Sequence, residues 1–279
     1  MAQQLPPEWP VKTLPATTVR VIDTETAGGR MPDDAVIEIG SVDYDLVTGE
    51  VGNRMEVLVD PEGTPISPGA RKVHKIEDEE LEGAAPFAEA VLPYADATTF
   101  AAHRATFDSS RLRIPGTWLC TWKLALRAFP EQRAHGLQSL VRRLELKPEL
   151  PEGSHAHRAL YDAVCTVELL RACHRVLGER CDGPLDFLAR AAKVSAEPGL
   201  LARLRFGKHK HEPIREVPTD YLVWLAAEPD MDSDAAFTAR HELRRRGVGE
   251  GRELPLRDPP AGEPAPEPAH FGEVSSTTS

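Results

Sequence analysis

The sequence predicts an α/β fold in which a mixed β-sheet is flanked by helices. Strand-like runs fill the first part of the chain, and the short connections between them favour antiparallel neighbours. From about residue 86 onward, helical patterns alternate with short strand-like runs. The chain has 279 residues, of which 41% are hydrophobic, so it is long and apolar enough to bury a full core.

The predicted strands are short runs rich in β-branched and apolar residues. Three of them cover 18–24, 35–45 and 53–60, and a Thr-Gly-Glu turn joins the last two. Two shorter strands are expected in "ATTFAAH" (97–103) and "TWLC" (117–120). Hairpin-connected strands beside strands that follow helices give a sheet of mixed direction.

Helical patterns account for the rest of the main domain. Helices are expected over 86–95, over 136–146 and over 158–177, and Gly178 is a suitable residue to end the last one. A weaker helical pattern follows over 184–204, and "DAAFTARHELRRR" near residue 240 predicts another helix.

Changes in composition divide the chain into five segments. Residues 1–16 are polar and proline-rich, which predicts an irregular lead before the α/β domain at 17–178. Residues 179–200 are expected to be a helical linker to a small module at 201–247. The remaining residues, 248–279, are rich in Pro, Gly, Glu and Ser, and this composition predicts disorder.

Composition and charge also limit the function. The formal net charge of -11 argues against broad, non-specific binding of polyanions. It does not exclude a nucleic-acid substrate, because an acidic cluster that binds divalent metal becomes attractive to phosphate. No membrane span and no signal peptide are expected, and the four cysteines form no C-x-x-C pair. We therefore expect a cytoplasmic protein with reduced thiols and no small-molecule cofactor, while the sequence predicts no oligomeric state.

Two carboxylates follow the first predicted strand. In "VRVIDTETAGG", Asp23 and Glu25 are two residues apart, and residues i and i+2 of a strand point to the same face. The two side chains can therefore converge on one point. Acidic residues are usually solvated, however, so for this pair on its own a strand that ends at the surface is the favoured explanation.

Two further segments add acids and a histidine. Asp108 comes just after a predicted strand, and Asp162 lies in the first turn of the long helix, five residues after His157. Four carboxylates from three segments suit two Mg²⁺ or Mn²⁺ ions, which prefer oxygen ligands. Histidine titrates near neutral pH and could accept the proton of an attacking water. The alternative is a solvated acid that the helix dipole favours, beside an ordinary loop histidine.

These motifs together resemble those of the DEDDh branch of the DnaQ-like 3′–5′ exonucleases, which have a ribonuclease-H-like fold. The likeness covers residues 17–178 and includes "VIEIGSVD", "PISPGARKVHKI" and "LCTWKLALRAFP". The resemblance implies release of nucleoside 5′-monophosphates from 3′ ends. It also implies that four acids bind two metal ions and that His157 is the general base; the acids are Asp23, Glu25, Asp108 and Asp162.

The resemblance also suggests substrate contacts, with one departure from the family pattern. The suggested residues are Thr26, His103, Arg104 and Phe107. Many family members have Asn where this chain has Arg104, and an arginine there could contact phosphate or crowd the site. Glu38 matches a glutamate common in the family, for which we expect a structural or indirect role. His155 lies two residues too early to match the catalytic histidine.

The small module resembles the C-terminal module of the exodeoxyribonuclease X group. Its pattern matches at Phe206, Gly207, Lys208, Val217, Pro218, Tyr221, Leu222, Trp224 and Leu225. His211 replaces the second glycine of the pattern, so the turn there could differ. Basic residues beside aromatic ones suit single-stranded nucleic acid, and Lys208 and Lys210 are the candidates for DNA contact. Helical spacing favours a core position for the aromatic residues.

The leading hypothesis is a Mg²⁺-dependent or Mn²⁺-dependent 3′–5′ exonuclease that acts on DNA, preferably at a single-stranded 3′ end. Within the same class, the alternatives are an exoribonuclease and a proofreading subunit of a polymerase. From another class, the alternative is a nucleic-acid-binding protein with weakened catalysis, for which Arg104 would be the sign. The small module favours the DNA enzyme.

Overall fold

The structure is a computed structural model that describes residues 3–28 and 34–248. These residues form two compact units, one that ends at Glu197 and one that begins at Pro198. The tail predicted to be disordered lies outside the described residues, except for Val248. Among the described helices, none combines the length and the apolar character that crossing a membrane requires.

The first unit is built around a five-stranded mixed sheet in the order β3-β2-β1-β4-β5. The strands are β1 (Thr18–Thr26), β2 (Val36–Asp45), β3 (Val51–Leu58), β4 (Thr99–Ala102) and β5 (Thr117–Cys120). The central strand β1 pairs antiparallel with β2 and parallel with β4, and β5 runs parallel to β4. The predicted mixed sheet is confirmed.

Seven helices of the first unit lie between and after these strands. They are α1 (Pro68–His74), α2 (Phe87–Ala90), α3 (Ala105–Leu112), α4 (Thr121–Ala128), α5 (Leu137–Arg143), α6 (Ala159–Gly178) and α7 (Gly183–Ala196). Two short 3-10 helices cover Asp78–Leu81 and Leu92–Tyr94. The segment 86–95 is therefore two short pieces, because Pro93 has no N–H for an α-helical hydrogen bond and restricts the residue before it.

The core lies on both faces of the sheet. Val19 and Val21 pack with α4–α7 on one face, whereas Ile22 packs with Phe87 and Phe100 on the other. Both faces of β1 are thus covered, and the adjacent residues Val21 and Ile22 are buried on opposite faces for this reason. Alternation along the strand places Asp23 and Glu25 on the face of Val19 and Val21, which α6 covers.

The segments at the two ends of the first unit pack closely onto it. The Gln3 side chain donates to the Val36 carbonyl over 3.0 Å and accepts from the Val36 N–H over 2.9 Å. At the other end, α7 lies in the predicted linker but buries Phe187 in the main core. The hydroxyl of Ser195 accepts the Cys120 backbone N–H over 2.8 Å.

The second unit contains α8 (Thr219–Ala227) and α9 (Ser233–Arg245) around a small core. Tyr221, Leu222 and Leu225 are all buried in it, as the helical spacing of these residues predicts. His211 has a φ of +71°, the left-handed conformation that favours glycine, so the backbone keeps a glycine-like turn although the residue has a side chain.

Candidate active site

The end of β1 carries the first two acids of the site. Asp23 and Glu25 lie on one face of the strand, next to Gly40 and Glu38 of β2 in the sheet register. Both acids are partly exposed, whereas Thr24 between them is buried. The strand geometry through Thr24 therefore places the two carboxylates side by side at a surface that solvent can reach.

The start of α6 brings the third acid to this edge. A side chain at position 40 would collide with the helix, because a Cβ on Gly40 would lie 2.2 Å from the Leu160 backbone nitrogen. Glycine thus permits the close approach of α6 to β2. Asp162, in the first turn, accepts from Gln138 Nε2 over 2.7 Å and from the His157 backbone N–H over 3.3 Å. Its two carboxylate oxygens are oriented separately.

His157 lies just before α6 and has a φ of +68°, in the left-handed region that non-glycine residues seldom adopt. Its Nδ1 is 3.8 Å from Asp162 Oδ2, and its side chain is 49% exposed. Glu25, His157 and Asp162 each offer one possible ligand atom, and these atoms lie within 4.8 Å of one another. The imidazole, one acid of β1 and the acid of α6 thus meet at one point.

The fourth acid comes from α3, which follows β4. Asp108 is 3% exposed, and its Oδ1 accepts a hydrogen bond from the Thr24 hydroxyl over 2.9 Å. This bond fixes Asp108 directly to the strand that carries Asp23 and Glu25. Asp108 and Asp162 are both near enough to Asp23 for their charges to affect it, so acids from β1, α3 and α6 share one region.

Burial and mutual repulsion dominate the electrostatics of this cluster. Burial raises the pKa of Asp23 well above its usual range, and the negative charges of Asp108, Asp162 and Glu25 raise it further. The pKa of Glu25 is also raised, first by burial and then by Asp162 and Glu38. Such a cluster attracts cations and protons strongly.

The other two acids have partners that partly offset burial. Burial raises the pKa of Asp108 to about 7, although the hydrogen bond from Thr24 acts in the opposite direction. Burial also raises the pKa of Asp162, against the lowering effects of His157 and Gln138.

The residues suggested as substrate contacts differ in what they can reach. His103 is buried, and its ring nitrogens lie 3.2 Å from the Thr121 hydroxyl and 2.9 Å from the His135 carbonyl oxygen. Burial lowers the pKa of His103 to about 3. This arrangement favours a role in holding the start of α4 and the loop before α5, and contact of His103 with substrate stays a prediction.

Arg104 is exposed at the N-terminal end of α3, where its guanidinium stacks 4.1 Å from the centroid of the Trp122 ring. Phe107 is half-buried, and the guanidinium of Arg111 lies 3.6 Å from its ring centroid. The hydroxyl of Thr26 is buried and donates to the Gly28 carbonyl. Arg104 is thus the member of this group whose charge faces solvent.

The two candidate lysines of the second unit are exposed. Lys208 and Lys210 flank His209, whose ring packs edge-on against Tyr221 with 4.6 Å between ring centroids. His209 also contacts the Glu212 carboxylate over 2.8 Å. The residue between the two lysines is therefore anchored, while both ammonium groups reach solvent.

Sequence reasoning missed two residues of the site. Gln138 donates a hydrogen bond to Asp162 and orients it. Arg158 forms an ion pair with Glu38, in which Arg158 Nη2 lies 2.5 Å from Glu38 Oε1. Gln138 stands in "GLQSL", a helix start without any charged residue to draw attention. Arg158 directly follows His157, so its position beside the histidine was the available signal. His155, which does not match the catalytic histidine, has its Nδ1 2.8 Å from the carbonyl oxygen of the next residue, Ala156.

Comparison with known proteins reveals similarity to exonucleases. The RNase T family model, which describes exonucleases, matches residues 21–170. Exodeoxyribonuclease 10 of Escherichia coli K12 is 34% identical over 231 residues, which are 81% of this chain and 98% of that protein. The structure of exonuclease X in complex with 5′-overhanging duplex DNA matches with a TM-score of 0.56 and 32% identity. That match covers 64% of this chain and 99% of the other.

A structure of exonuclease I shares the fold, with a TM-score of 0.53 at 14% identity over 84% of this chain and 68% of the other. The expected ribonuclease-H-like architecture, a mixed sheet flanked by helices, is therefore confirmed. Because the family model covers more than half of the chain and the bacterial relative is matched over nearly its whole length, the chain belongs to the RNase T exonuclease family of DnaQ-like 3′–5′ exonucleases.

Proposed function

We propose that this protein is a metal-dependent 3′–5′ exodeoxyribonuclease that releases nucleoside 5′-monophosphates from the 3′ ends of DNA. The observation that carries the proposal is the meeting of four carboxylates from β1, α3 and α6 beside an exposed histidine. DNA is the favoured substrate because the similarity to an exodeoxyribonuclease extends across both units of the chain. A related enzyme has also been solved with DNA.

The proposed ligands of two Mg²⁺ or Mn²⁺ ions are Asp23, Glu25, Asp108 and Asp162. The donor set fits such ions because it consists of carboxylate oxygens, the ligands that these hard cations prefer. Mutual repulsion among the acids also leaves a need for positive charge, as the raised pKa of Asp23 indicates. Two bound ions supply electrostatic stabilisation of the attacking and leaving oxygens of a phosphodiester.

The proposed general base is His157. Its ring is half exposed, so a water molecule can approach it, and it lies next to the acid of α6. The side chain accepts a proton from the attacking water, and the Asp162 carboxylate 3.8 Å away stabilises the resulting imidazolium. The left-handed backbone of His157 directs the imidazole toward Asp162 and Glu25.

The proposed substrate contacts lie in both units. Arg104 offers a guanidinium to a phosphate at the start of α3, and Phe107 offers an aromatic face for a base. Thr26 and His103 complete the set suggested by the family. In the second unit, Lys208 and Lys210 would bind the backbone of a single strand, since both are exposed on an anchored turn.

The four free cysteines support a cytoplasmic location.

Digestion of matched oligonucleotides tests this proposal. Single-stranded DNA and RNA of one sequence, labelled at the 5′ end, should both be tested with Mg²⁺, and only DNA should shorten rapidly from its 3′ end. Chromatography should identify nucleoside 5′-monophosphates as the products. Equal or faster trimming of RNA would favour the exoribonuclease, and binding without digestion would favour a protein that has lost catalysis.

Matched variants distinguish the site from a contaminating nuclease. Asp23→Asn should remove digestion, whereas Glu50→Gln should not, because Glu50 is exposed in the β2–β3 turn at the other end of the sheet. Chelation of divalent ions should also stop the wild-type protein. Full digestion in chelator would refute the metal-dependent mechanism.

A further inference from the structure

Beside the acids, β2 buries a charge that the proposed mechanism does not use. Glu38 is 0% exposed, and its Oε1 accepts from Arg158 Nε over 2.8 Å and from Arg158 Nη2 over 2.5 Å. Its other oxygen, Oε2, accepts the backbone N–H of Ala159 over 2.8 Å. One carboxylate therefore holds both an arginine side chain and the first N–H of α6.

These contacts act on the segment that carries the base and one acid. Arg158 is the N-cap residue of α6 and directly follows His157 in the chain. The Arg158 carbonyl accepts the Asp162 N–H over 3.0 Å, which closes the first turn of the helix. Fixing Arg158 and Ala159 thus restrains His157, which immediately precedes them, and Asp162, which the first turn of α6 links to Arg158.

The backbone of His157 needs such support. Its φ of +68° is unfavourable for a residue with a Cβ, and strained residues persist where the surrounding structure holds them. The chain before it, from Pro151 to Ala156, forms turns and contains no helix or strand. The backbone N–H of His157 donates to Asp162 Oδ2 over 3.3 Å, and on its other side the bonds of Arg158 and Ala159 to Glu38 hold the residues that follow it.

Stability alone does not account for a buried pair of this kind. Desolvation of two charges offsets much of their attraction, so a buried ion pair is weak grounds for assuming stabilisation. The pair also lies at the active site. Glu38 is opposite Glu25 in the sheet register, and its charge contributes to the raised pKa of Glu25. The Glu38 carboxylate adds negative charge beside the acidic cluster, and a role in positioning neighbouring residues would explain why a charged residue is present there.

We propose that Glu38 and Arg158 form a clamp that positions His157 and Asp162 against the acids of β1; this inference rests on the proposed function of the site. The clamp consists of the Glu38 carboxylate, the Arg158 guanidinium and the Ala159 N–H. None of its residues is among the proposed metal ligands or substrate contacts, and they act as positioning residues.

Three variants test the clamp. Glu38→Gln keeps an oxygen for the Ala159 N–H but removes the charge that holds Arg158. Arg158→Met keeps the length of the side chain but leaves Glu38 buried without its partner. The double variant, Glu38→Gln with Arg158→Met, removes both charges. We expect kcat on single-stranded DNA to fall about ten- to a hundredfold in all three, with KM within threefold of wild type, because misplaced catalytic groups slow the chemical step.

The melting temperature separates positioning from stability. Arg158→Met should have the lowest value, because it leaves an unpaired buried carboxylate, and the double variant should recover part of that loss. Its kcat should stay low. If kcat recovers together with the melting temperature, or if Glu38→Gln retains kcat within threefold of wild type, the clamp is structural only and the inference is wrong.

A second buried ion pair provides the matched control. Arg20 Nε contacts Asp43 Oδ1 over 2.8 Å in the same two strands, and alternation along β1 places Arg20 on the face opposite to that of Asp23. Asp43→Asn should lower the melting temperature while kcat stays within twofold of wild type.

A spectroscopic measurement tests the clamp even if the protein proves to have another activity. In protein labelled with ¹⁵N-histidine, the His157 signals can be assigned by their loss in His157→Gln. Glu38→Gln should move or broaden those signals, and Asp43→Asn should not. Unchanged His157 signals in Glu38→Gln would overturn the inference, whereas absence of digestion by the wild-type protein would refute the proposed function alone.

Discussion

Replacing Asp108 by Asn should make the metal-free protein more stable at pH 8. The residue is 3% exposed, and burial raises its pKa from 3.8 to about 7. Above pH 7 the folded protein therefore holds an ionised carboxylate in a place that disfavours the charge. Asparagine has nearly the same shape, and its oxygen can still accept the Thr24 hydroxyl.

The size of the effect follows from the pKa difference. About three pKa units correspond to about 4 kcal/mol of destabilisation by the ionised group. Asparagine replaces one carboxylate oxygen by an NH₂ group, which is a donor at a place where the carboxylate was an acceptor. A buried donor without a hydrogen-bond partner costs about 1–3 kcal/mol. We expect a net gain of about 1–3 kcal/mol in the free energy of unfolding at pH 8.

The sign of the pH dependence is fixed by the direction of the shift. The folded protein binds this proton more tightly than the unfolded chain, so stability from Asp108 is fully present below pH 3.8 and is lost as the pH rises to about 7. The advantage of the Asn variant should consequently shrink between pH 8 and pH 5. In millimolar Mg²⁺ the order should reverse, since binding to the folded state stabilises the wild type.

Urea unfolding in chelator, followed by tryptophan fluorescence, measures this difference. Trp9, Trp118 and Trp122 lie in the first unit, so the signal reports mainly on the domain that contains Asp108. The reasoning is refuted if Asp108→Asn is less stable than wild type at pH 8, or if its advantage is the same at pH 5.

Three further predictions concern a helix contact, a buried histidine and the second unit. Gly40→Ala should lower the free energy of unfolding by about 1–3 kcal/mol and reduce digestion, because its Cβ would strike the α6 backbone; thermal melts and the nuclease assay check both effects. Between pH 6.5 and pH 5 the wild type should lose stability, because the unfolded chain binds a proton at His103 whereas the folded protein, in which the pKa of His103 is low, does not. His103→Gln lacks this group and should lose about 2 kcal/mol less of its free energy of unfolding over the same pH range. Urea midpoints at the two pH values test this. Replacing Lys208 and Lys210 by Ala should weaken binding of single-stranded DNA in chelator and reduce the slope of log K against log salt by about 1.4; fluorescence anisotropy over a salt series would contradict this if the slope did not change.

The strand that carries the first acids could be predicted from the sequence because its signal is local. The apolar residues Val19, Val21 and Ile22 indicate a buried strand, and alternation then places Asp23 and Glu25 together. The order of the acidic motifs along the chain supplied Asp108, His157 and Asp162.

The supporting contacts could not be predicted, because they join residues far apart in the chain. The pairing of Glu38 with Arg158 depends on the register of β2 and on how closely Gly40 lets α6 approach. The sequence around Gln138 is typical of any helix, and only the folded structure shows that its side chain contacts Asp162. The position of α7 was missed for a similar reason, since an amphipathic pattern predicts a buried face but does not identify its partner.

The assembly of the acidic site from β1, α3 and α6 has a consequence during protein synthesis. Asp23 leaves the ribosome early, but its partner on α6 follows only near the end of the first unit. In the mechanism proposed above, a nascent or partly folded chain therefore holds too few of the carboxylates for catalysis. Nuclease activity would then appear only after the domain has closed, so unfinished chains would not degrade the nucleic acid around them.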